Sequence, residues 1–289
     1  MFVALCRGSF IASLTFDLVP VELAELVTKQ FLRDNRPDVV VFVEPRICGK
    51  RADSVISALS FPNSYRVEAA AFAGGIWVAW YDTVSVTVAI THFQFIHFSI
   101  FNKRDKTSLY ATAVYASPSS SGRKLVWPHL YRLASSIRSL WIIFGDFNAT
   151  LSPDERKGCV RSSKPSKIFQ NLIFDNGLRD MGFNGPSFPW SSGQASVRLD
   201  RFICNSYFDE SFPVAVVHHL LHMRSDPFRY FSGWISHDDF PRMVADNWSP
   251  CASIFQIQWN GGLSQPFWLD RGIRQGDPLG CTISAKYAA

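Results

Sequence analysis

The sequence is missing the marks of several common protein classes. Its six cysteines, Cys6, Cys48, Cys159, Cys204, Cys251 and Cys281, form no C-x-x-C pair and have no histidine at zinc-finger spacing. They read as reduced thiols of an intracellular protein, in the nucleus or cytoplasm, and not as a disulfide framework or zinc site. The N-terminus, Met1-Phe2-Val3-Ala4-Leu5-Cys6-Arg7, has no basic start before an apolar core, so secretion is not expected. The most apolar stretch, Ala69 to Trp80, is ended by Tyr81-Asp82, well short of the ~18 residues that span a bilayer. No membrane partner is expected. Two N-x-S/T triplets, at Asn148 and Asn247, would carry glycans only on a secreted chain. There is no internal repeat, and neither charge sign dominates: 29 Lys and Arg against 24 Asp and Glu give a net +5. That excess suits a polyanionic partner but falls below a dedicated basic arm, and it equally suits an ordinary solvated surface.

What is present is material for a core: 47% hydrophobic and 15% aromatic residues over 289 positions, enough for one large domain or two ordinary ones. From Asp38 to Phe208 the pattern is rich in strands. Val39 to Val43 is a buried strand, followed by a helix near Arg51 to Leu59 and a strand pair turning at Gly74-Gly75. Val84, Val86, Val88 and Ile90 alternate with small or polar residues, Gln94 to Ile100 continues as an apolar strand, and Ser108 to Ala116 returns after a polar tip at Asn102 to Lys106. Ser117 to Gly122 reads as a loop, and Arg123 to Ser139 carries a helical apolar stripe. A second helix over Lys167 to Asn176 stops at Gly177, the place for a left-handed cap, and strands are expected near Phe188 to Ser191, Val197 to Cys204 and Val214 to Leu220. Strands interleaved with a few helices indicate two packed sheets flanked by helices. Beyond Asp226 the texture changes to a Gly- and Pro-rich tail too short for a second core.

Five segments each deliver one polar group at or near a strand. Asp146 and Asn148 follow Leu140 to Phe144, Glu44 follows Val39 to Val43, Tyr115 follows Thr112 to Val114, Asp200 lies within Val197 to Ile203, and Asp226 follows another apolar stretch. Each has a local alternative: Asp-x-Asn is a turn, Glu44 a solvated strand end, Tyr115 a half-buried core residue, and Asp200 an ion-pair partner of Arg198 or Arg201.

Taken in order, Val43-Glu44-Pro45-Arg46, Val114-Tyr115-Ala116-Ser117-Pro118, Gly145-Asp146-Phe147-Asn148, Arg198-Leu199-Asp200-Arg201 and Ser225-Asp226 resemble the endonuclease/exonuclease/phosphatase superfamily. Phe72-Ala73-Gly74-Gly75-Ile76-Trp77 and the segment Gly182 to Ser191 narrow the likeness to the endonuclease domain of plant LINE-type, non-LTR retrotransposons, over about Asp38 to Asp226. Arg271-Gly272-Ile273-Arg274-Gln275-Gly276-Asp277-Pro278-Leu279 resembles a motif of the reverse transcriptase of the same elements, and its closeness to the endonuclease part suggests a deleted, rejoined copy without polymerase activity. The resemblance implies an α+β fold, a four-layer, deoxyribonuclease-I-like sandwich of two mostly antiparallel sheets flanked by helices, incomplete at the N-terminal strand and after residue 226. The expected segments are 1–37, a divergent remnant of the first strand and helix; 38–226, the endonuclease-like domain; 227–251, a linker; and 252–289, a reverse-transcriptase fragment.

The same resemblance implies Mg²⁺ or Mn²⁺ as cofactor and DNA as partner, with element RNA as a further one. It places Glu44 and Asp226 as metal ligands, Asp146 on the attacking water, Asn148 and Tyr115 on the phosphate, and Asp200 behind a catalytic histidine. Lys103, Arg104, Lys106, Arg156 and Lys157, with Lys164 and Lys167, are the basic residues available to nucleic acid.

Two departures bear on activity. Where the family has histidine after Ser-Asp this chain has Pro227, which transfers no proton and restricts Asp226. Where the family's first strand ends Trp-Asn-Cys-Arg-Gly, this chain reads Ala4-Leu5-Cys6-Arg7-Gly8, so either a ligand is lost or the strand is replaced. His218, His219, His222 and His237 lie near the missing histidine in sequence, but strand and surface roles explain them more simply. A crippled nicking enzyme is therefore expected; a non-catalytic nucleic-acid binder, a phosphatase of the same superfamily and an unstable translation of element debris are the alternatives.

Overall fold

The computed structural model describes residues 2–6, 9–15, 21–68, 74–158, 164–188, 190–192 and 195–219, and four two-residue strands at 254–255, 258–259, 262–263 and 267–268. The chain divides into two compact units, residues 1–18 with 32–223 and residues 19–31 with 224–289. Of the second unit the structure describes part of one helix and two small antiparallel pairs, Ile254–Phe255 with Phe267–Trp268 and Gln258–Trp259 with Gly262–Leu263. Asp226, Pro227, the amphipathic segment at 238–248 and the motif at 271–279 lie outside the described residues.

The first unit is built on two six-stranded sheets. One runs in the order β15 (Val216–His219), β1 (Phe2–Cys6), β2 (Ser9–Thr15), β3 (Val39–Val43), β5 (Ile76–Trp80), β4 (Asn63–Val67). The other runs β11 (Arg179–Asp180), β14 (Asp200–Cys204), β9 (Trp141–Asp146), β8 (Ser108–Tyr115), β7 (Phe95–Asn102), β6 (Val84–His92). Each is antiparallel except for one central pair: β2 lies parallel to β3, and β8 to β9. The N-terminal segment contributes β1 and β2, and the helix α1 (Val21–Asn35) that follows is divided between the two units after Phe31. The strand beside β3 is β2, with Thr15 opposite Val43, so Cys6, last in β1, lies one strand further out.

Period-two side-chain alternation sorts the core into layers. Val39, Val41, Val43, Ile76 and Val78 of the first sheet pack against Ile96, Phe98, Ala111, Ala113, Ile142, Phe144 and Phe202 of the second. On the second sheet's outer face Phe95, Trp141, Ile143 and Ile203 meet Trp127, Leu130 and Leu133 of α4 (Trp127–Ser136) and Phe169 and Leu172 of α5 (Lys167–Asp175). Phe42, whose side chain takes the opposite face of β3 from Val41 and Val43, packs edge-on against Trp77 and Phe61. Near it in the chain, α2 (Gly49–Ala58) buries Ala52, Val55 and Ile56. Uninterrupted apolar runs, such as β3 and Trp141 to Phe144 of β9, are thus strands covered on both faces.

Three local expectations are revised. Ser120–Arg123 forms a short helix, α3, where a loop was expected, because Ser119 Oγ caps it by accepting from Gly122 N at 3.0 Å. The following helix starts only at Trp127, with Pro128 in its first turn. The stretch Val197 to Cys204 is two strands, not one. It leaves β13 (Ala195–Val197), which pairs with β10 (Arg156–Lys157) and β12 (Trp190–Ser192), crosses Arg198-Leu199, and enters the large sheet at Asp200. Bonds from Arg198 N to Glu155 O (3.0 Å) and Phe147 N to Leu199 O (3.0 Å) hold that crossing. The cap at Gly177 forms as expected, with φ +58° and Leu178 N bonded to Ile173 O at 2.9 Å.

Candidate functional site

Parallel neighbours finish at the same edge of a sheet, so Tyr115 and Asp146, last in β8 and β9, stand directly opposite each other. Asp200, first in the antiparallel β14, is opposite Asp146 on its other side. Gly145 makes the approach possible. Its φ is +123°, and a Cβ there would fall 2.1 Å from the Val114 carbonyl oxygen, so no other residue fits. After Asp146 the chain turns through Asn148, at φ +46°, which Asp146 holds by accepting from Asn148 N at 2.7 Å and from Asn148 Nδ2 at 3.1 Å. The turn reading and the site reading of Asp-x-Asn therefore describe one object: the turn aims the carboxylate. Asn148 Nδ2 also donates to Ala116 O at 2.8 Å, committing both its hydrogens.

Glu44 comes from the other sheet. It follows β3 with φ +59°, its N–H donates to Gly75 O at 3.1 Å, and Arg46 N donates to Gly74 O at 2.9 Å. Gly74-Gly75 thus anchors the Glu44 turn, and the expected tip between β4 and β5 falls partly in 69–73, outside the described residues. A Cβ on Gly74 would meet Glu44 Cγ at 2.5 Å, so the bare glycine supplies the space in which the carboxylate lies. Arg46 closes over it, Nε donating to Glu44 Oε1 at 2.8 Å and Nη2 to the same oxygen.

Tyr115 joins the two halves. It is 2% exposed, and Glu44 from one sheet and Asp146 from the other both lie within electrostatic reach of its hydroxyl. Burial first, then the charge and hydrogen bond of Glu44 and the charge of Asp146, push its pKa far above the ordinary phenol value, fixing a neutral O–H donor. Glu44, Tyr115 and Asp146, each less than 9% exposed, therefore meet at one end of the sandwich, with Asp200 beside Asp146.

The two arginines beside Asp200 pair with Asp180 and Glu155. Arg198 reaches Asp180 at 2.7 Å and Glu155 at 3.6 Å, and Arg201, fully buried, reaches Asp180 at 2.7 Å and also Glu155. The two guanidiniums pull Asp180 below its usual pKa although burial, the largest single influence, works the other way. This quartet secures the crossing that delivers Asp200.

Residues that sequence reasoning missed complete the rim. Gln94, 1% exposed, accepts from Ser117 N at 2.7 Å and donates to Gly122 O at 3.0 Å. Arg123 donates to Ser117 O at 2.9 Å and Pro118 O at 2.6 Å. Burial lowers the Arg123 pKa, Asp146 opposes that shift and Arg156 adds to it, so Arg123 lies within electrostatic reach of the site and Arg156 within reach of Arg123. A glutamine in the tight turn between β6 and β7 and an arginine ending a four-residue helix gave no signal.

The basic tip does not join this site. Lys103, Arg104 and Lys106 precede β8, whose far end is Tyr115, so the strand's length of roughly 25 Å separates them. Lys157 is exposed on the three-stranded sheet, and Lys164 and Lys167 are exposed near the start of α5. His219 is core: 3% exposed, stacked on Phe183 at 4.0 Å, bonded through Nδ1 to Pro186 O at 2.9 Å, and held neutral by burial with its pKa pushed down to about 4. His222 and His237 lie outside the described residues.

Among the described residues no three His, Cys, Asp or Glu side chains form a metal-binding group. A hard cation such as Mg²⁺ takes only one or two protein carboxylates and fills its shell with water and phosphate. Glu44 suits that part: an oxygen donor packed against the bare Gly74 and already facing the positive Arg46. No helix among the described residues is long and apolar enough to cross a membrane.

Residues 23–236 match the Endonuclease/Exonuclease/phosphatase family. Among solved structures, the AP endonuclease LMAP from Leishmania major is similar with 13% identity and TM-score 0.54 over 71% of this chain and 80% of that one. The 3'-5' exonuclease NExo from Neisseria meningitidis has 15% identity and TM-score 0.50 over 71% and 87%. The endonuclease domain of TRAS1, a telomere-specific non-LTR retrotransposon, has 14% identity and TM-score 0.48 over 67% and 83%. At these identities the likeness is one of fold. No curated protein matches at a significant level. With two mixed sheets packed face to face and the family matched from 23 to 236, the chain belongs to the endonuclease/exonuclease/phosphatase family and has its deoxyribonuclease-I-like fold.

Proposed function

We propose that the chain is the endonuclease domain of a plant LINE-type retrotransposon, a Mg²⁺- or Mn²⁺-dependent phosphodiesterase that nicks DNA, with catalysis impaired at Pro227. The observation that carries this reading is the meeting of Glu44, Tyr115 and Asp146 at one end of the sandwich, with Asp200 opposite Asp146. A metal held by Glu44, with Asp226, would neutralise phosphate charge and polarise the phosphorus centre. Asp146, aimed by two bonds from Asn148, orients the attacking water and takes its proton. Tyr115, locked as a donor, gives its hydroxyl hydrogen to a non-bridging phosphate oxygen. Asn148 reaches phosphate by exchanging its bond to Asp146, the longer of its two side-chain contacts. Asp200 is the residue that would orient an imidazole at position 227, and proline supplies none. The retrotransposon source, and the reverse-transcriptase origin of 252–289, rest on the sequence motifs. DNA is the substrate and element RNA a further partner, in the nucleus or cytoplasm.

Plasmid nicking by the purified chain, with Mg²⁺ and with EDTA, tests the reading. The chain as it stands should nick weakly or not at all. Pro227→His should raise metal-dependent nicking by about 10²- to 10⁴-fold, the usual worth of a general acid or base, and Asp146→Ala should abolish that gain. Strong nicking by the parent, or no gain from histidine, would overturn the impairment. Release of inorganic phosphate from phosphorylated small molecules, without strand cleavage, would favour a phosphatase.

A further inference from the structure

We propose that Arg46 is a built-in competitor for the metal at Glu44: its guanidinium occupies the cation side of that carboxylate and must leave before a divalent ion can bind. The inference rests on the reading of Glu44 as a metal ligand. Two Arg46 nitrogens converge on the single oxygen Oε1, which a cation entering the same face would need. The backbone makes the contact specific. Glu44 and Arg46 both take left-handed φ values, +59° and +52°, around Pro45, and their N–H groups are tied to the carbonyls of Gly75 and Gly74. Side chains two apart are thereby brought onto one cleft, with Gly74 leaving room for the glutamate beneath.

Exposure divides the roles. The Glu44 side chain is 11% exposed and stays in place, whereas that of Arg46 is 55% exposed, on a long flexible stem that can swing into solvent. A pair half in water is weak and screened, so the competition is modest and a metal can win it. The arrangement keeps the carboxylate neutralised while the metal is away. It also frees a guanidinium at the rim when the metal arrives, where an incoming phosphate would meet it.

The test is Mn²⁺ binding to the full chain without DNA, followed by the electron paramagnetic resonance signal of free Mn²⁺, with urea unfolding to show that each variant folds. Arg46→Met should bind Mn²⁺ about threefold to tenfold more tightly than the parent, the scale of a half-exposed ion pair. Glu44→Gln should lose the site, and so should Glu44→Gln combined with Arg46→Met. If Arg46→Met binds no tighter while Glu44→Gln still loses the site, the competition is wrong and the metal reading stands. If Glu44→Gln binds Mn²⁺ as the parent does, the metal reading of Glu44 fails, and the inference with it.

Discussion

Gly74→Ala should act on the site through one atom. The glycine does not need an unusual φ, so the new methyl adds no backbone strain and its effect is steric alone: 2.5 Å to Glu44 Cγ, 2.9 Å to Glu44 Cα and 3.1 Å to Glu44 Cβ. Overpacking of this kind costs about 1–3 kcal/mol. Stiffening the unfolded chain returns about 0.4–1 kcal/mol, leaving a net loss of about 1–2 kcal/mol by the same two principles. Because the nearest clash is with Cγ, Glu44→Ala should relieve part of it, while the clash with the backbone of residue 44 persists. The two substitutions should therefore be non-additive in urea unfolding, the alanine at 74 costing about 1 kcal/mol less beside Ala than beside Glu. Equal costs in both backgrounds, or no cost in either, would refute the claim that Gly74 is the cradle of the Glu44 side chain.

Arg201→Met removes a fully buried guanidinium from Asp180 and Glu155, leaving Arg198 to serve both; a loss near ~3 kcal/mol, the low end for breaking a buried pair, is expected in urea, and a loss below ~1 kcal/mol would show that Arg198 compensates fully. His97, bonded to Thr112 at 2.8 Å, and His219 are both held by burial with pKa about 4. They are neutral when folded and take up protons when unfolded, so their contribution is complete above the ordinary histidine pKa of about 6.5 and is lost as pH falls from there to about 4, at up to ~1.4 kcal/mol per pH unit each. His97→Gln should flatten the fall in urea midpoint between pH 7 and pH 5; parallel curves for parent and variant would remove His97 from the account.

Strands with uninterrupted apolar runs were legible in the sequence, and the turn after Asp146 was legible because Asp and Asn bond their own backbone. The break within Val197 to Cys204 was not. Alternation from Val197 to Asp200 runs on into the apolar Phe202 to Cys204, so the stretch reads locally as one strand, and bonds distant in sequence divide it: Arg201 reaches Asp180 and Glu155, which lie 21 and 46 residues away. Arginine is expected at the surface, so nothing local marked Arg201 as fully buried. The same limit hid the pairing of Asp200 with Asp146, a matter of sheet register. Charge alone pointed to Lys103, Arg104 and Lys106, which sit at the opposite end of β8 from Tyr115, while Arg123, at the end of a four-residue helix, lies within electrostatic reach of Asp146.

The position of the site follows from strand direction. A purely antiparallel sheet alternates strand ends and starts along each edge, which scatters groups that terminate strands. One parallel pair in each sheet changes that: Thr15 and Val43 finish together, as do Tyr115 and Asp146. The shared core carries Val43 and Tyr115 within one packed cluster, so the two finishing edges face each other across the sandwich. Glu44, one residue past Val43, then needs only its left-handed turn to come within electrostatic reach of the Tyr115 hydroxyl. Asp200 enters from the opposite direction, at the start of its strand, and the arginines on either side of it in the chain belong to the buried ion quartet. Loosening that quartet should therefore disturb Asp200 before Glu44 or Tyr115, which separates the two halves of the site experimentally: Arg201→Met should leave the Mn²⁺ affinity governed by Glu44 unchanged in the folded protein even as its stability falls.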